Sequence, residues 1–76
     1  MVQSNTDRAR YVFAVKEFGD GTPWIVLERS GKGLAVLGDG FMGFELKEGI
    51  SLKDAEKLAE LLRDGIATVS YTSFQK

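Results

Sequence analysis

Residues 51–66 read SLKDAEKLAELLRDGI, and this stretch decides the fold. Ser51 supplies a hydroxyl that can accept from a backbone N–H left free by a first helical turn, so it predicts a helix start. Asp54, three residues on, is an acidic variant of the capping box and suits the positive end of the helix dipole. Leu52, Ala55, Leu58, Ala59 and Leu62 recur at the i, i+3, i+4 spacing of one helical face, and Leu61 widens the stripe. Lys53, Glu56, Lys57, Glu60, Arg63 and Asp64 fall on the opposite face. Gly65 stands where a left-handed residue ends a helix, and Ile66 beyond it can pack back on Leu61. One amphipathic helix is expected, with a core-facing stripe and a solvated charged face.

Ahead of this helix the chain reads as strand. Residues 10–18, RYVFAVKEF, are rich in aromatic and β-branched types, and residues 19–22, GDGT, are turn chemistry. Residues 22–30, TPWIVLERS, form the second expected strand, with Pro23 confined to its start or to an edge. Residues 34–37 read as a short third strand between glycine-rich turns. Asp39-Gly40 then gives a hairpin signal before a fourth strand over residues 41–47, FMGFELK. Gly43 in that strand predicts a bulge or a close approach by another backbone. Residues 67–72, ATVSYT, suit either a short fifth strand or an extended tail crossing the sheet. Residues 1–9 are polar and aperiodic, so they read as a disordered or loosely attached segment, and residues 73–76 as a frayed tail. Short turns between successive strands imply antiparallel pairing. The expected fold is therefore α+β: a four-stranded antiparallel meander followed by one helix, in a single domain over residues 10–72.

A chain of 76 residues buries only about 60% of the surface its unfolded form exposes, so help from outside the core is common at this size. Cysteine and histidine are both absent, which excludes a disulfide and a Cys/His zinc site. No EF-hand-type loop is present, and no cofactor or metal is expected. Ten basic residues against eleven acidic give a net charge of −1, with no clustered cations of the kind duplex binding needs. No apolar run is long enough to span a membrane, and MVQSNTDRAR lacks the apolar core of a signal peptide. With no cysteine, the cytoplasm is the expected compartment.

Apolar residues occupy both faces of every expected strand. Tyr11, Phe13 and Val15 alternate with Val12 and Ala14, Trp24 and Val26 with Ile25 and Leu27, and Phe41 with Met42, Phe44 and Leu46. A sheet wet on one side would alternate apolar with polar. Four strands at ~4.8 Å make a layer about 19 Å wide, and one helix is ~10–12 Å across. A helix-free apolar face is left to cover. A second copy of the chain, as a homodimer, is the expected cover; an unidentified protein partner, a ligand or a strong curl of the sheet are the alternatives. Tyr11, Phe13, Trp24, Val26 and Phe41 are the candidate residues of this interface or groove.

Catalysis finds little support, since the usual base and the best nucleophile are missing. Glu17 with Glu28, and Asp39 with Glu45, are carboxylate pairs that the turns could bring together. Gly31-Lys32-Gly33 and the glycines at 38, 40 and 43 are placed for hairpins, not before a helix as a phosphate loop requires. The same aromatics, with Arg8, Arg10, Lys32 and Lys47 nearby, could instead stack single-stranded bases or a small ligand. The acidic balance of the chain disfavours the nucleic acid.

Pro23-Trp24-Ile25, then residues 37–44, LGDGFMGF, then Gly49-Ile50-Ser51 with Ala55 and Leu58, carry a resemblance. From Pro23 onward the chain resembles a group of small bacterial proteins of unknown function, over about two-thirds of its length; members usually have Asn where Asp64 stands. The resemblance implies a bacterial cytoplasmic protein and brings no activity, cofactor or site residue.

Overall fold

A computed structural model describes residues 3–75. The elements run β1 (Gln3–Ala9), β2 (Tyr11–Glu17), β3 (Pro23–Arg29), a 3-10 turn (Ala35–Leu37), β4 (Gly43–Glu45), α1 (Leu52–Gly65) and β5 (Val69–Gln75). The fold is α+β, with antiparallel strands, one helix and a further strand after it. Strands β2, β3 and β4 form a three-stranded meander in that order, and β1 pairs with β5 as a separate two-stranded ribbon.

Helix α1 starts as its sequence dictates. The Ser51 Oγ accepts from the Asp54 backbone N–H at 3.1 Å. Ala55 and Ala59 are fully buried, and Ala59 with Leu62 presses on Phe13, Ile25 and Leu27. Small alanines let the helix sit close to the sheet. The far end is fastened by Arg63, whose guanidinium donates to the Phe13 carbonyl at 2.6 Å.

The register decides which side of the sheet each residue takes. Phe13 stands opposite Leu27, and Ala14 opposite Val26. Odd-numbered residues of β2 and β3 therefore share the helix-bearing face, and even-numbered ones share the other. Tyr11 and Val15 border the core on the helix side. The Tyr11 hydroxyl accepts from the Leu34 N–H at 2.8 Å, and the Asp7 carboxylate accepts from the Ala35 N–H at 2.8 Å. These two bonds draw residues 34–35 against the junction of β1 and β2, where Leu34 is buried.

Several expected boundaries are corrected. Residues 34–37 are not a strand: Ala35–Leu37 is a 3-10 turn held by Leu37 N–H to Leu34 C=O at 3.1 Å. Glycines on both sides leave that segment without a ladder partner, and the bonds from Tyr11 and Asp7 take its backbone groups instead. The fourth strand is confined to Gly43–Glu45, and Met42 adds one bond by accepting from the Leu27 N–H at 3.0 Å. Its place in the meander is therefore third. The first nine residues are not loose: Gln3–Ala9 is a full strand, paired from Gln3↔Gln75 to Ala9↔Val69. The fifth strand is accordingly longer than read, and residues 73–75, expected to fray, belong to it.

Only Arg10 separates β1 from β2. Residues 3–17 thus make one nearly continuous extended line, roughly 46 Å long at ~3.3 Å per residue. This accounts for the elongated shape of the molecule, 47 × 24 × 22 Å. The ribbon carries the long dimension, and the helix and meander form the body at one end.

Candidate aromatic face and groove

The five residues singled out from the sequence do not share one surface. Phe13 is 3% exposed and lies in the core under α1. Tyr11 is on the same helix-bearing side, half-buried, with its hydroxyl bound to Leu34. Both leave the expected interface, because their register partners Leu27 and Arg29 set their parity. Trp24, Val26 and Phe41 remain together on the helix-free side. Val26 is already buried there, beneath its neighbours.

Trp24 is the centre of this side. Phe18 stacks on it with ring centroids 5.0 Å apart and planes 8° apart, and Phe41 tilts against it at 6.2 Å and 41°. Phe18 is 41% exposed and Phe41 63%. The stacking of Phe18 on Trp24 is not legible in the sequence: Phe18 follows the end of β2, where alternation stops constraining a side chain. Gly43 opposes Val26 in a pair whose side chains approach closely, and the Trp24 ring passes over it. A methyl at Gly43 would lie 2.7 Å from Trp24 Cε3. The close approach expected at Gly43 is thus real, but an indole makes it rather than a backbone, and the β3–β4 register continues without a bulge.

Beside the aromatics lies an open groove of about 630 Å³, walled by Trp24, Val26 and Phe41 with Lys16, Glu28 and Arg29 among its charged residues. Lys16 and Glu28 form an ion pair at 3.5 Å across β2 and β3, with both side chains about half exposed. Such a pair contributes ~1 kcal/mol or less. The carboxylate pairing expected between Glu17 and Glu28 does not form: Glu17 stands opposite Pro23 and Glu28 opposite Val12. Among the described residues no three Asp or Glu gather as a metal-holding group. Asp20, in the β2–β3 turn, accepts from the Thr22 N–H at 2.9 Å, and that bond, aided by the Thr22 hydroxyl, holds its carboxyl below the ordinary aspartate value.

Apolar surface also remains on the helix-bearing side. Phe44 stacks loosely on Phe13 at 6.4 Å yet stays 42% exposed, and Leu61 is 70% exposed. Arg63 reaches toward the β2 edge, so the flank of α1 carrying Leu58 and Leu61 is turned the other way, toward β4. No helix among the described residues is long and apolar enough to cross a membrane.

No protein-family model matches the chain, and neither a curated protein nor a solved structure matches it. The reading of this face therefore rests on its own geometry.

Proposed function

We propose that the protein is a small non-catalytic interaction module that self-associates through the helix-free face of its meander. The observation that carries this is the pair of exposed rings, Phe18 and Phe41, packed on half-buried Trp24 at a sheet surface that α1 does not cover. Aromatic anchors of this kind dominate the energetics of protein interfaces. The accessible surface supports the same reading: it is 5812 Å² for a chain of 8.4 kDa, against roughly 4,600 Å² for a compact monomer of that mass.

Three strands of this length present a footprint of roughly 300 Å², less than half of the ~800 Å² per partner that a standard interface takes. The association through this face alone accordingly belongs to the weak, transient class. Trp24 is the chain's single tryptophan, so it reports directly on its own burial. Its emission shifts to the blue as concentration rises through the dissociation constant, and Trp24→Ala lowers the average sedimentation mass by removing this contact. An emission maximum that does not move with concentration, in a protein that sediments as one chain, refutes the proposal.

The groove supports a second reading, as a site for a flat small ligand or a single-stranded nucleic acid. Its volume falls within the range of small-molecule sites, and Trp24 and Phe41 offer ring faces. Glu17, Glu28 and Asp39 oppose Lys16 and Arg29 along its walls, which makes a polyanion a poor fit. Titration with a single-stranded oligonucleotide separates the readings: salt-sensitive quenching of Trp24 favours the ligand, and an unchanged spectrum disfavours it.

A further inference from the structure

Four strand edges face away from their sheets, and the chain protects three of them. On β2, Arg63 donates to the outward Phe13 carbonyl and puts a charge on the edge. Edge strand β4 is only three residues long. Strand β1 carries Asp7 and Arg8. Short length and charge are the ordinary means by which edges avoid pairing with another chain. Strand β5, VSYTSFQ, has none of these: it is seven residues long, without charge, proline or glycine, and rich in aromatic and β-branched types. Its backbone bonds run to β1 alone, so its other edge is unpaired among the described residues. Tyr71 and Phe74 on it are 45% and 71% exposed.

We infer that the free edge of β5 pairs antiparallel with β5 of a second copy, joining two ribbons into one four-stranded sheet. An isolated two-stranded ribbon is marginal in water, and three or more strands are needed for independent stability. The edge is complementary to itself. A twofold axis at Thr72 sets all seven residues against their mates, Val69 opposite Gln75 and Tyr71 opposite Ser73. No charge meets a like charge in that register. The surface excess over a compact monomer, about 1,200 Å², is also larger than the footprint of the aromatic face.

Since the chain has no cysteine, a single introduced thiol gives a clean test. Thr72→Cys places a thiol on the axis, next to its mate, whereas Lys57→Cys on the solvent face of α1 reports random collision. Under mild oxidation at micromolar concentration, Thr72→Cys forms a disulfide-linked dimer at least tenfold faster than Lys57→Cys. Thr72→Lys, which sets two cations against each other at the axis, lowers the sedimentation mass while the helical circular dichroism of the body is kept. Trp24→Ala leaves the Thr72→Cys rate unchanged, because the edge and the aromatic face are separate surfaces. Cross-linking of Thr72→Cys no faster than that of Lys57→Cys overturns the inference, whatever Trp24→Ala does to the mass.

Discussion

Replacing Gly43 by alanine tests the aromatic face from beneath. The backbone at Gly43 is not in the left-handed region, so alanine is conformationally allowed, and in a strand it would ordinarily be better than glycine by ~0.5–1 kcal/mol. The added methyl, however, meets the Trp24 ring, with Cε3 at 2.7 Å. The indole has Phe18 stacked against it and Phe41 beside it, so it cannot swing away without giving up those contacts. Overpacking costs about 1–3 kcal/mol, and loss of an aromatic pair ~0.5–1.5 kcal/mol. The net expectation is a destabilisation of about 1–2 kcal/mol, or a fall in Tm of roughly 4–16 °C for a domain of this size. Urea unfolding followed by circular dichroism measures it, with an unchanged m-value as the sign that only stability moved. In a Trp24→Ala background the clash is gone, so Gly43→Ala becomes neutral or stabilising. The coupling between the two sites is then about 1–3 kcal/mol. An equal effect of Gly43→Ala in both backgrounds would refute the view that the glycine exists to make room for the indole.

Ser51→Ala removes the hydroxyl that caps α1 and lowers stability by ~1 kcal/mol, measurable by the same unfolding experiment; Ser51→Asp restores most of it. Ile25 is fully buried between sheet and helix, and Ile25→Ala costs ~2–5 kcal/mol, comparable to the whole stability of a core this small. A cooperative transition within 1 kcal/mol of the parent would contradict that placement, on the scale of ordinary core truncations. Asp20 has a folded-state pKa below its unfolded one, so its contribution is complete above the unfolded value and is lost as pH falls through the folded one. Asp20→Asn keeps an acceptor for the Thr22 N–H but removes that titration. The variant should lose less stability than the parent on acidification through the carboxylate range, as thermal melts across that range will show.

The helix was legible because its signals are local. Ser51, Asp54 and the i, i+3, i+4 stripe lie within sixteen residues and need no partner to be read, and the bounds agree to within a residue, although Gly65 stays in the helix instead of turning left-handed and extended Ile66 caps it. The class of the fold followed from the strand compositions of residues 11–17 and 23–29. The first strand was hidden because QSNTDRA has the composition of a loop, and it becomes a strand through pairing with residues more than sixty positions away. Leu34 to Leu37 failed in the opposite way: an alternating apolar pattern was present, but Tyr11 and Asp7 took the backbone donors a ladder would have used. The candidate face was half legible. That both strand faces are apolar could be seen directly. Which residues share a face depends on the parity of the β2–β3 turn, and one residue of register separates Trp24 beside Phe13 from Trp24 beside Lys16.

The single residue Arg10 between β1 and β2 has a mechanical consequence. The ribbon joins the body through that residue on one strand and through residues 66–68 on the other. Asp7 of β1 also holds Ala35, Ala9 is buried and Val69 packs on the core, so the base of the arm is fastened at more than these two joints. Whatever docks at its tip is therefore held at a set reach and a set bearing from the body, as on a bracket.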